Sequence, residues 1–335
     1  MKCAVIGAGI AGLVCARILR EHGLEVIVYD KGRHVGGRLA SRDRDADRFD
    51  YGAQYFTARD PIFKKQVDHW LQAGIVAEWV GNFARLKHGI VEVENVSSPR
   101  YVGVPNMRAV AENLVRKTEV RTAHRIDEAG RLNGKWFIAG AKGFETTWDR
   151  FAAYDYDYLV LNMPPSQAAE LVPSDQLNAV KLEPCWTVML TFSQRLDVPY
   201  DAAYVHGGPL SWVALDSSKP GRPDGDRWVL QAAADWSLQN IDMDAEAVVA
   251  ALREEFARRC GASLPVNTFD MAHKWLYAKP VNALDVDFIY DSERSIGYCG
   301  DWCQGARVEN AFVSGTKLAE SILATCARDG ASRLD

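Results

Sequence analysis

Short apolar runs alternate with amphipathic stretches at both ends of this chain. Near the start, Lys2–Ile6 predicts a buried strand, a glycine-rich turn follows it, and Leu13–His22 has the spacing of a helix. A second apolar strand, Val26–Tyr29, comes next. Near the end the same order returns as a strand over Ser295–Cys299, a glycine turn and a helix over Val308–Thr325. Strand, turn and helix in this order predict nucleotide-binding α/β units at both ends.

The first long amphipathic helix is predicted to begin at Asp60. An aspartate at the N-cap followed by proline at the first helical position is a common helix start. The apolar residues that would share its inner face are Ile62, Phe63, Val67, Trp70 and Leu71. A second helix is predicted from Pro105 to about Arg116, with Met107, Val110, Ala111 and Leu114 turned inward.

The middle of the chain is richer in strands. Glu119–Ile126 and Lys135–Ala139 predict a β pair, and Asp244 caps a helix that runs to about Cys260. Further strands are predicted at Trp186–Phe192, Ser211–Leu215, Trp228–Ala233 and Phe269–Trp275. The chain therefore leaves the nucleotide-binding unit and returns to it. We predict an α/β fold with a discontinuous Rossmann-type domain (1–60, 100–165 and 285–335) and a β-rich α+β substrate domain (61–99 and 166–284).

Composition narrows the class of partner. The chain has 335 residues, 48% of them hydrophobic, and a formal net charge of −5, which argues against nucleic acid as a partner. We find no secretion signal and no run of the ~18 apolar residues that a membrane span needs. The seven cysteines are scattered and form no C-x-x-C pair. We expect a cytoplasmic protein with reduced thiols and no membrane partner.

The strongest chemical signal is the G-x-G-x-x-G turn after the first strand. It reads Gly7-Ala-Gly9-Ile10-Ala11-Gly12, and a helix follows at once. Glycine at these positions permits a tight turn and close approach of a diphosphate, which the helix N-terminus attracts. Asp30 ends the second strand, where an acidic side chain would accept a hydrogen bond from a ribose hydroxyl.

Three further motifs favour a flavin dinucleotide over a nicotinamide one. Lys31 leads into paired glycines and an arginine, Gly36-Gly37-Arg38, which would suit a backbone passing close to a diphosphate. The stretch from Asp50 to Tyr55 contains Gly52, Ala53 and Gln54. Near the end, Gly300-Asp301 precedes a helix whose N-terminus carries Asn310 and Ala311, and such a terminus favours electron-rich ligand atoms.

Together these motifs resemble the flavin-containing amine oxidase superfamily in type and order. His273-Lys-Trp275-Leu-Tyr277 and Gly297-Tyr-Cys-Gly-Asp301-Trp resemble its renalase family, and the bacterial branch of that family. The resemblance implies an amine-oxidase or hydroxybenzoate-hydroxylase-like topology and a flavin-dependent oxidase. The implied substrates are isomeric dihydropyridine forms of NAD and NADP, above all the 1,2-dihydro form. Two electrons would pass through FAD to O2, giving NAD(P)+ and H2O2.

The resemblance also implies roles for individual residues. The diphosphate would lie on the first glycine turn, with Asp30 at the adenosine ribose and Arg38 at the phosphate. The flavin would lie along Gly52–Tyr55, with Asp301 at the ribityl or diphosphate region and Asn310-Ala311 at the pyrimidine edge. The predicted FAD-binding residues are Gly7, Gly9, Ile10, Ala11, Gly12, Asp30, Lys31, Gly37, Arg38, Gly52, Ala53, Gln54, Tyr55, Gly300, Asp301, Asn310 and Ala311. FAD is expected to be non-covalent, because Cys299 and Cys303 lie outside the Ser-Gly-Gly-Cys-Tyr context of covalent members.

The substrate side is less fully specified. His273, Trp275 and Tyr277 share one strand face by their period of two, and such a face lines either a pocket or a core. With Gln54 they are the predicted substrate-binding residues. No acid–base pair stands out, which suits hydride transfer from a dihydropyridine. No metal is expected, since Asp43, Asp45 and Asp47 lack histidine partners.

Three alternatives remain open. One is oxidation of a small or aromatic amine, which an aromatic cavity would also suit. Another is a non-catalytic binding protein with this fold, although this chain keeps all the flavin motifs. The third is an ordinary NAD-dependent dehydrogenase, which the motifs at Gly37-Arg38 and Gly300-Asp301 disfavour.

Overall fold

The computed structural model describes residues 1–44, 47–87, 90–94, 98–144, 147–261 and 263–331. The strands, in chain order, are β1 (Lys2–Ile6), β2 (Glu25–Tyr29), β3 (Ser41–Arg44), β4 (Asp47–Asp50), β5 (Val76–Glu78), β6 (Phe83–Lys87), β7 (Ile90–Val93), β8 (Tyr101–Gly103), β9 (Glu119–Arg121), β10 (His124–Leu132), β11 (Lys135–Phe144), β12 (Thr147–Tyr156), β13 (Tyr158–Leu161), β14 (Leu182–Phe192), β15 (Ala202–His206), β16 (Leu210–Leu215), β17 (Asp226–Ala232), β18 (Asn267–Pro280), β19 (Ile289–Asp291) and β20 (Ile296–Tyr298). The α-helices are α1 (Ile10–Glu21), α2 (Pro61–Gln72), α3 (Arg108–Leu114), α4 (Pro165–Leu171), α5 (Asp175–Asn178), α6 (Ala234–Gln239), α7 (Ala245–Cys260) and α8 (Val308–Ala331).

The two ends of the chain meet in a six-stranded sheet of order β19-β20-β13-β1-β2-β9. All its neighbours are parallel except the edge pair β19–β20. Residues of β1 alternate between two cores. Cys3 and Val5 pack under α1, α3 and α8, whereas Ala4 and Ile6 face the antiparallel sheet β10-β11-β12. This placement explains why the strands read as continuous apolar runs.

The middle of the chain builds a seven-stranded sheet of order β18-β14-β17-β16-β15-β6-β7. Its pairs are antiparallel except β15–β6. One face carries Trp186, Val188 and Leu230 and is covered by α7 through Leu252 and Phe256. The opposite face receives the β3–β4 hairpin and the residues that follow it. That opposite face is where the candidate site lies.

Many sequence predictions are confirmed. The α/β class with a parallel Rossmann-type sheet is present, and α7 begins after the predicted cap Asp244, whose carboxylate accepts the Ala247 N–H at 2.9 Å. Asp60 likewise caps α2 by accepting the Ile62 N–H at 2.8 Å. The four apolar residues predicted to face inward from the second helix, Met107, Val110, Ala111 and Leu114, are all buried. The limits of the two predicted domains stay a prediction.

Other predictions need correction. Ile62 and Leu71 of α2 are exposed (43% and 36%), because only one stripe of that helix, with Phe63, Val67 and Trp70, meets the core. The predicted strand Glu119–Ile126 is two strands, since Ala123 adopts a left-handed φ of 58°. β9 joins the parallel sheet and β10 pairs with β11.

Two findings concern membrane-spanning helices and the aspartates around residue 43. Among the helices that the structure describes, none is long and apolar enough to span a membrane. Asp43 lies in β3, bonded to Arg48 and Arg108 at 2.6 and 2.7 Å, and Asp45 lies outside the described residues.

Candidate functional site

The glycine turn between β1 and α1 has the shape that a diphosphate requires. Gly7 adopts a φ of +105°, and a Cβ on Gly12 would lie 2.5 Å from the Gly7 carbonyl oxygen. Asn162, at the end of β13, donates its amide to that carbonyl at 3.3 Å. Helix α1 begins after Gly9 without a side-chain cap and without an acidic residue in its first turn. The free N–H groups of this turn, from Ile10 onwards, are therefore available to an anion.

Asp30 closes the same turn from the end of β2. Its carboxylate accepts the backbone N–H groups of Ala8 and Gly32, both at 2.6 Å. A carboxylate has about four acceptor positions, so it can still accept a ribose hydroxyl. Lys31 is exposed, and its ammonium group donates to the Gln167 side-chain oxygen at 3.3 Å.

The second glycine pair lies against the first turn. Gly36 and Gly37 have φ values of +115° and +55°, and a Cβ on Gly37 would lie 3.3 Å from Gly9 Cα. The Gly36 N–H donates to the Ala8 carbonyl at 2.8 Å. The two glycine segments thus form one continuous backbone surface.

Arg38 and Asp301, which are both predicted to contact the cofactor, bind each other. The guanidinium donates to both carboxylate oxygens of Asp301 at 2.6 and 2.8 Å and to the Ala278 carbonyl at 3.1 Å. This contact joins the loop after β2, the loop after β20 and strand β18. The Arg38 side chain remains 37% exposed, so one edge of the guanidinium is still accessible to a phosphate.

The segment Gly52–Tyr55 lies between that loop and the seven-stranded sheet. A Cβ on Gly52 would lie 2.1 Å from the Arg38 carbonyl oxygen, and the Ala53 N–H donates to that oxygen at 2.8 Å. On the other side, Gln231 donates its amide to the Gly52 carbonyl at 2.8 Å. Only glycine fits here, which explains the predicted importance of this position.

Five side chains on neighbouring strands form a row across the sheet face beneath this segment. Directly opposite residues of an antiparallel pair share a face, and the register places His273 opposite Thr187, Thr187 opposite Gln231, Gln231 opposite Trp212, and Trp212 opposite Tyr204. We call His273, Thr187, Gln231, Trp212 and Tyr204 the row. Tyr51 contacts one end of the row, Gly52 its centre and Tyr55 its other end.

At one end of the row, three aromatic rings form a group that we call the trio: Tyr51, His273 and Trp275. Their centroids are 4.6 to 5.3 Å apart, and the Trp275 indole N–H donates to the Tyr51 carbonyl at 3.0 Å. All three are half-buried. Burial, followed by the nearby charge of Arg42, lowers the pKa of His273 to about 4, so its imidazole is neutral at pH 7. Tyr277 is also half-buried, but it lies where the β14–β18 register is irregular, between Trp275 and Lys279.

The other end of the row is a second aromatic group. The hydroxyls of Tyr55 and Tyr204 bond to each other, and Tyr55 lies 5.7 Å from Trp212. The guanidinium of Arg100 lies 4.9 Å from the centre of the Tyr55 ring and pairs with Glu94 at 2.6 Å. Burial and the bond to Tyr55 raise the pKa of Tyr204, so its hydroxyl stays protonated.

Gln54 is held from behind by a buried ion cluster that sequence reasoning missed. Its side-chain carbonyl accepts from Lys219 Nζ at 3.1 Å, and its amide donates to the Asp50 and Gly52 carbonyls. Lys219 also lies 2.5 Å from Asp216 and 3.5 Å from Asp50, which in turn pairs with Arg222. We call Asp50, Asp216, Lys219 and Arg222 the ion cluster. All four side chains are fully buried.

The two carboxylates of the ion cluster are affected in opposite directions, because burial raises the pKa of Asp216 whereas that of Asp50 is lowered. Burial raises the pKa of Asp50, but the charges of Arg222 and Lys219 and its hydrogen bonds outweigh that effect, so the pKa is lowered. Asp50 also accepts the Met107 N–H at 2.9 Å and the Ser41 hydroxyl at 2.7 Å. Gln54 is predicted to contact substrate and flavin; within the protein it uses both amide N–H groups and one acceptor position of its side-chain carbonyl.

The C-terminal motif lies beside the first turn. The Gly300 N–H donates to Ser314 Oγ at 3.1 Å, and Asn310 donates to the Gly305 carbonyl at 2.9 Å. A Cβ on Gly315 would lie 2.1 Å from the Ala11 carbonyl oxygen, so α8 packs directly on α1. Ala311 packs against the same core.

Glu309 is a further residue that the sequence did not single out. It lies in the first turn of α8 and is buried, with 4% of its surface exposed. Its carboxylate accepts the Asp60 N–H at 2.6 Å and also the Arg59 N–H. Glu309 therefore ties the start of α2 to the start of α8.

None of the seven cysteines forms a disulfide. Burial, followed by the neighbouring Cys303 and Cys3, raises the pKa of Cys299 well above its ordinary value, and burial raises that of Cys303 to about 12. Both thiols are therefore neutral and unreactive at pH 7, which agrees with the expectation of a non-covalent cofactor.

Sequence comparison with known proteins finds similarity in the N-terminal part of the chain, which contains the first glycine turn. A family model described as an NAD(P)-binding Rossmann-like domain matches residues 5–70. The 4,4'-diapophytoene desaturase of Staphylococcus aureus strain Newman is 44% identical over 52 residues, which are 16% of this chain and 10% of the desaturase. The chain thus matches only a small part of that relative's length.

Solved structures match over nearly the whole chain. A structure assigned as a protoporphyrinogen oxidase from Exiguobacterium sp. 255-15 has a TM-score of 0.78 at 13% identity and covers 96% of this chain and 98% of its own. A putrescine oxidase bound to putrescine has a TM-score of 0.70 at 12% identity and covers 97% and 99%. The chain therefore shares its overall fold with these two oxidases, and its residues 5–70 are similar to a Rossmann-like NAD(P)-binding domain.

Proposed function

We propose that this chain is an FAD-dependent oxidase of isomeric dihydro-NAD(P), above all of the 1,2-dihydro form. The relatives named above are, by their names, a desaturase and two oxidases, which supports the oxidoreductase class. The proposed products are NAD(P)+ and H2O2. The small-molecule substrate and O2 would meet the cofactor at the row.

The residues fit FAD in two places. The turn at Gly7–Gly12 offers free N–H groups to the diphosphate, and Asp30 has acceptor positions for the ribose. The Arg38–Asp301 pair and Gly52 lie next to the row, where the flavin ring would be held. When bound, FAD supplies a two-electron acceptor for a hydride from the dihydropyridine and returns both electrons, with two protons, to O2 as H2O2.

The observation that carries the proposal is the neutrality of the row and the trio. His273, with a pKa of about 4, is uncharged at pH 7, and Tyr204 stays protonated. The remaining members of the row, Thr187, Gln231 and Trp212, do not titrate in this range. A dihydropyridine that loses a hydride becomes an aromatic cation without losing a proton from carbon. The reaction therefore needs a shaped, neutral site and no general base.

The trio supplies that shape. Tyr51 and Trp275 are stacked with an interplanar angle of 21°, and the Trp275 indole is fixed by its bond to the Tyr51 carbonyl. Flat aromatic walls of this kind suit a flat pyridine ring. Because Tyr51 directly precedes Gly52, the trio adjoins the predicted flavin segment.

Amine oxidation is the second candidate. The likeness to a putrescine oxidase favours it, and an aromatic site would also suit a neutral amine. The row and the trio contain no carboxylate that would hold an ammonium group. This feature favours the dihydropyridine.

Oxygen consumption with matched substrates tests the proposal. The FAD-loaded protein would be assayed with 1,2-dihydro-NAD, ordinary 1,4-NADH, putrescine and benzylamine, with NAD+ and H2O2 quantified. We expect turnover with 1,2-dihydro-NAD and equal amounts of NAD+ and H2O2. Turnover with an amine and none with the dihydropyridine would replace the proposal by its alternative.

A further inference from the structure

Arg42 stands out among the charged residues around the trio because its side chain has no partner among the described residues. It lies in β3, directly opposite Phe49 of β4, and is half-buried. Within the part of the chain that the structure describes, the Arg42 side chain makes no hydrogen bond and no ion pair, and its nitrogens are not among the buried atoms that lack a partner. Its guanidinium therefore keeps accessible donors, and such a group is suited to receive an anion.

The hairpin register directs Arg42 toward the trio. Opposite residues of an antiparallel pair share a face, so Arg42 lies on the same face as Phe49. Phe49 stacks on Phe269 of β18 at 5.6 Å and belongs to one apolar cluster with Tyr51. Phe269 in turn shares its strand face with His273 by the period of two.

The positive charge of Arg42 acts on two residues of the trio. After burial, Arg42 is the next contribution to the lowered pKa of His273, and it acts on Tyr51 as well. Two neighbouring arginines, Arg108 and Arg48, are already paired. Arg108 bonds Asp43 and Glu112, and Arg48 bonds Asp43. Arg42 is thus a positive group beside the aromatic site that is not neutralised by a described carboxylate.

We propose that Arg42 binds the diphosphate of the dinucleotide substrate while its dihydropyridine ring lies in the trio. This inference rests on the proposed function and identifies which part of the substrate the protein recognises. A single ribose separates the pyridine ring from the diphosphate, so a cation beside the ring site is suitably placed. Arginine binds phosphate oxygens through two parallel N–H groups.

The test compares two variants with two substrates. Arg42→Gln removes the proposed contact, and Arg48→Gln, on the same hairpin but bound to Asp43, is the matched control. One substrate is 1,2-dihydro-NAD, and the other is 1,2-dihydronicotinamide riboside, which lacks the diphosphate. Loss of a charge-assisted contact corresponds to roughly a tenfold to hundredfold change in affinity. We expect KM for 1,2-dihydro-NAD to rise by that factor in Arg42→Gln, with kcat unchanged.

The riboside distinguishes loss of diphosphate recognition from general damage to the folded protein. Its KM and kcat should be the same in Arg42→Gln, Arg48→Gln and the unaltered protein. An equal change for both substrates, or no change for either, would overturn the inference. If the unaltered protein oxidises neither substrate, the proposed function fails. The Kd for NAD+, followed by tryptophan fluorescence, then decides about Arg42: a Kd unaltered by Arg42→Gln overturns the site, and a tenfold increase supports it.

Discussion

Replacing Lys219 by methionine should destabilise the protein far more than a change at one lysine usually does. Methionine keeps most of the stem length but removes the ammonium group. In the folded protein that group contacts Asp216 at 2.5 Å and Gln54 at 3.1 Å, and its side chain is fully buried. Without it, Asp216 keeps only the Asp50 N–H at 3.2 Å, whereas Asp50 keeps Arg222.

The expected change in the free energy of unfolding follows from the fact that Asp216 loses its paired cation whereas Asp50 keeps one. Removing one partner of a buried ion pair costs about 3–5 kcal/mol, because a buried charge is left uncompensated. Asp216 can lower that cost by taking up a proton, since burial already raises its pKa. A carboxyl whose folded pKa lies above its unfolded value contributes stability at low pH and loses it as the pH rises. The deficit of Lys219→Met should therefore be smaller at about pH 5 than at about pH 8.

The assay is urea unfolding followed by tryptophan fluorescence, at a fixed FAD concentration because bound ligand adds to apparent stability. Lys64→Met, at an exposed position of α2, is the control and should change the free energy of unfolding by less than about 0.5 kcal/mol. The double variant Lys219→Met with Asp216→Asn should recover part of the loss and lose the pH dependence. A deficit below about 1 kcal/mol for Lys219→Met, or no recovery in the double variant, would refute this account of the ion cluster.

Three further predictions concern the cofactor and the trio. Gly52→Ala places a Cβ 2.1 Å from the Arg38 carbonyl oxygen and should abolish FAD retention on purification, whereas Gly74→Ala, which meets nothing within 4 Å, should cost only about 1 kcal/mol through its positive φ and keep FAD. Asp301→Asn removes the charge from a bidentate pair and should weaken FAD binding roughly tenfold, as measured by equilibrium titration of the apoprotein; unchanged affinity would contradict a role for the pair. Since the pKa of His273 is lowered to about 4, flavin reduction should not depend on pH between about 6 and 9, and His273→Gln should diminish the loss of stability as the pH falls from about 6.5 to 4. An inflection in the reduction rate near pH 6.5 that disappears in His273→Gln would show that this histidine titrates normally.

The local parts of the site could be predicted from the sequence because their geometry depends on residues that are adjacent in the chain. The turn at Gly7–Gly12 requires glycine for its own backbone, and the predicted strand, turn and helix are all present. The shared face of His273 and Trp275 followed from the period of two along β18, whereas the register irregularity between Trp275 and Lys279 includes Tyr277 and could not be predicted from the sequence. Whether that face lines a core or a pocket depended on the strand opposite, and the structure leaves it half-buried against Tyr51.

The remaining parts depend on contacts between distant segments. Arg38 and Asp301 are 263 residues apart, and nothing local in either motif shows that they bind each other. Lys219 lies in a Lys-Pro-Gly-Arg stretch that is typical of an exposed turn, yet the fold buries it beside Gln54, 165 residues away. Glu309 could have been noticed as an acid at a helix start, but its acceptance of the Asp60 N–H needed the packing of α2 on α8.

The most direct test of the central claim is a single anaerobic turnover. The FAD-loaded protein would be mixed with 1,2-dihydro-NAD in a stopped-flow instrument, and the visible absorption of oxidised flavin would be followed. We predict rapid bleaching, one NAD+ formed per flavin, and recovery of the absorption with one H2O2 when O2 is admitted. Flavin that stays oxidised with 1,2-dihydro-NAD but is bleached by putrescine or benzylamine would contradict the account.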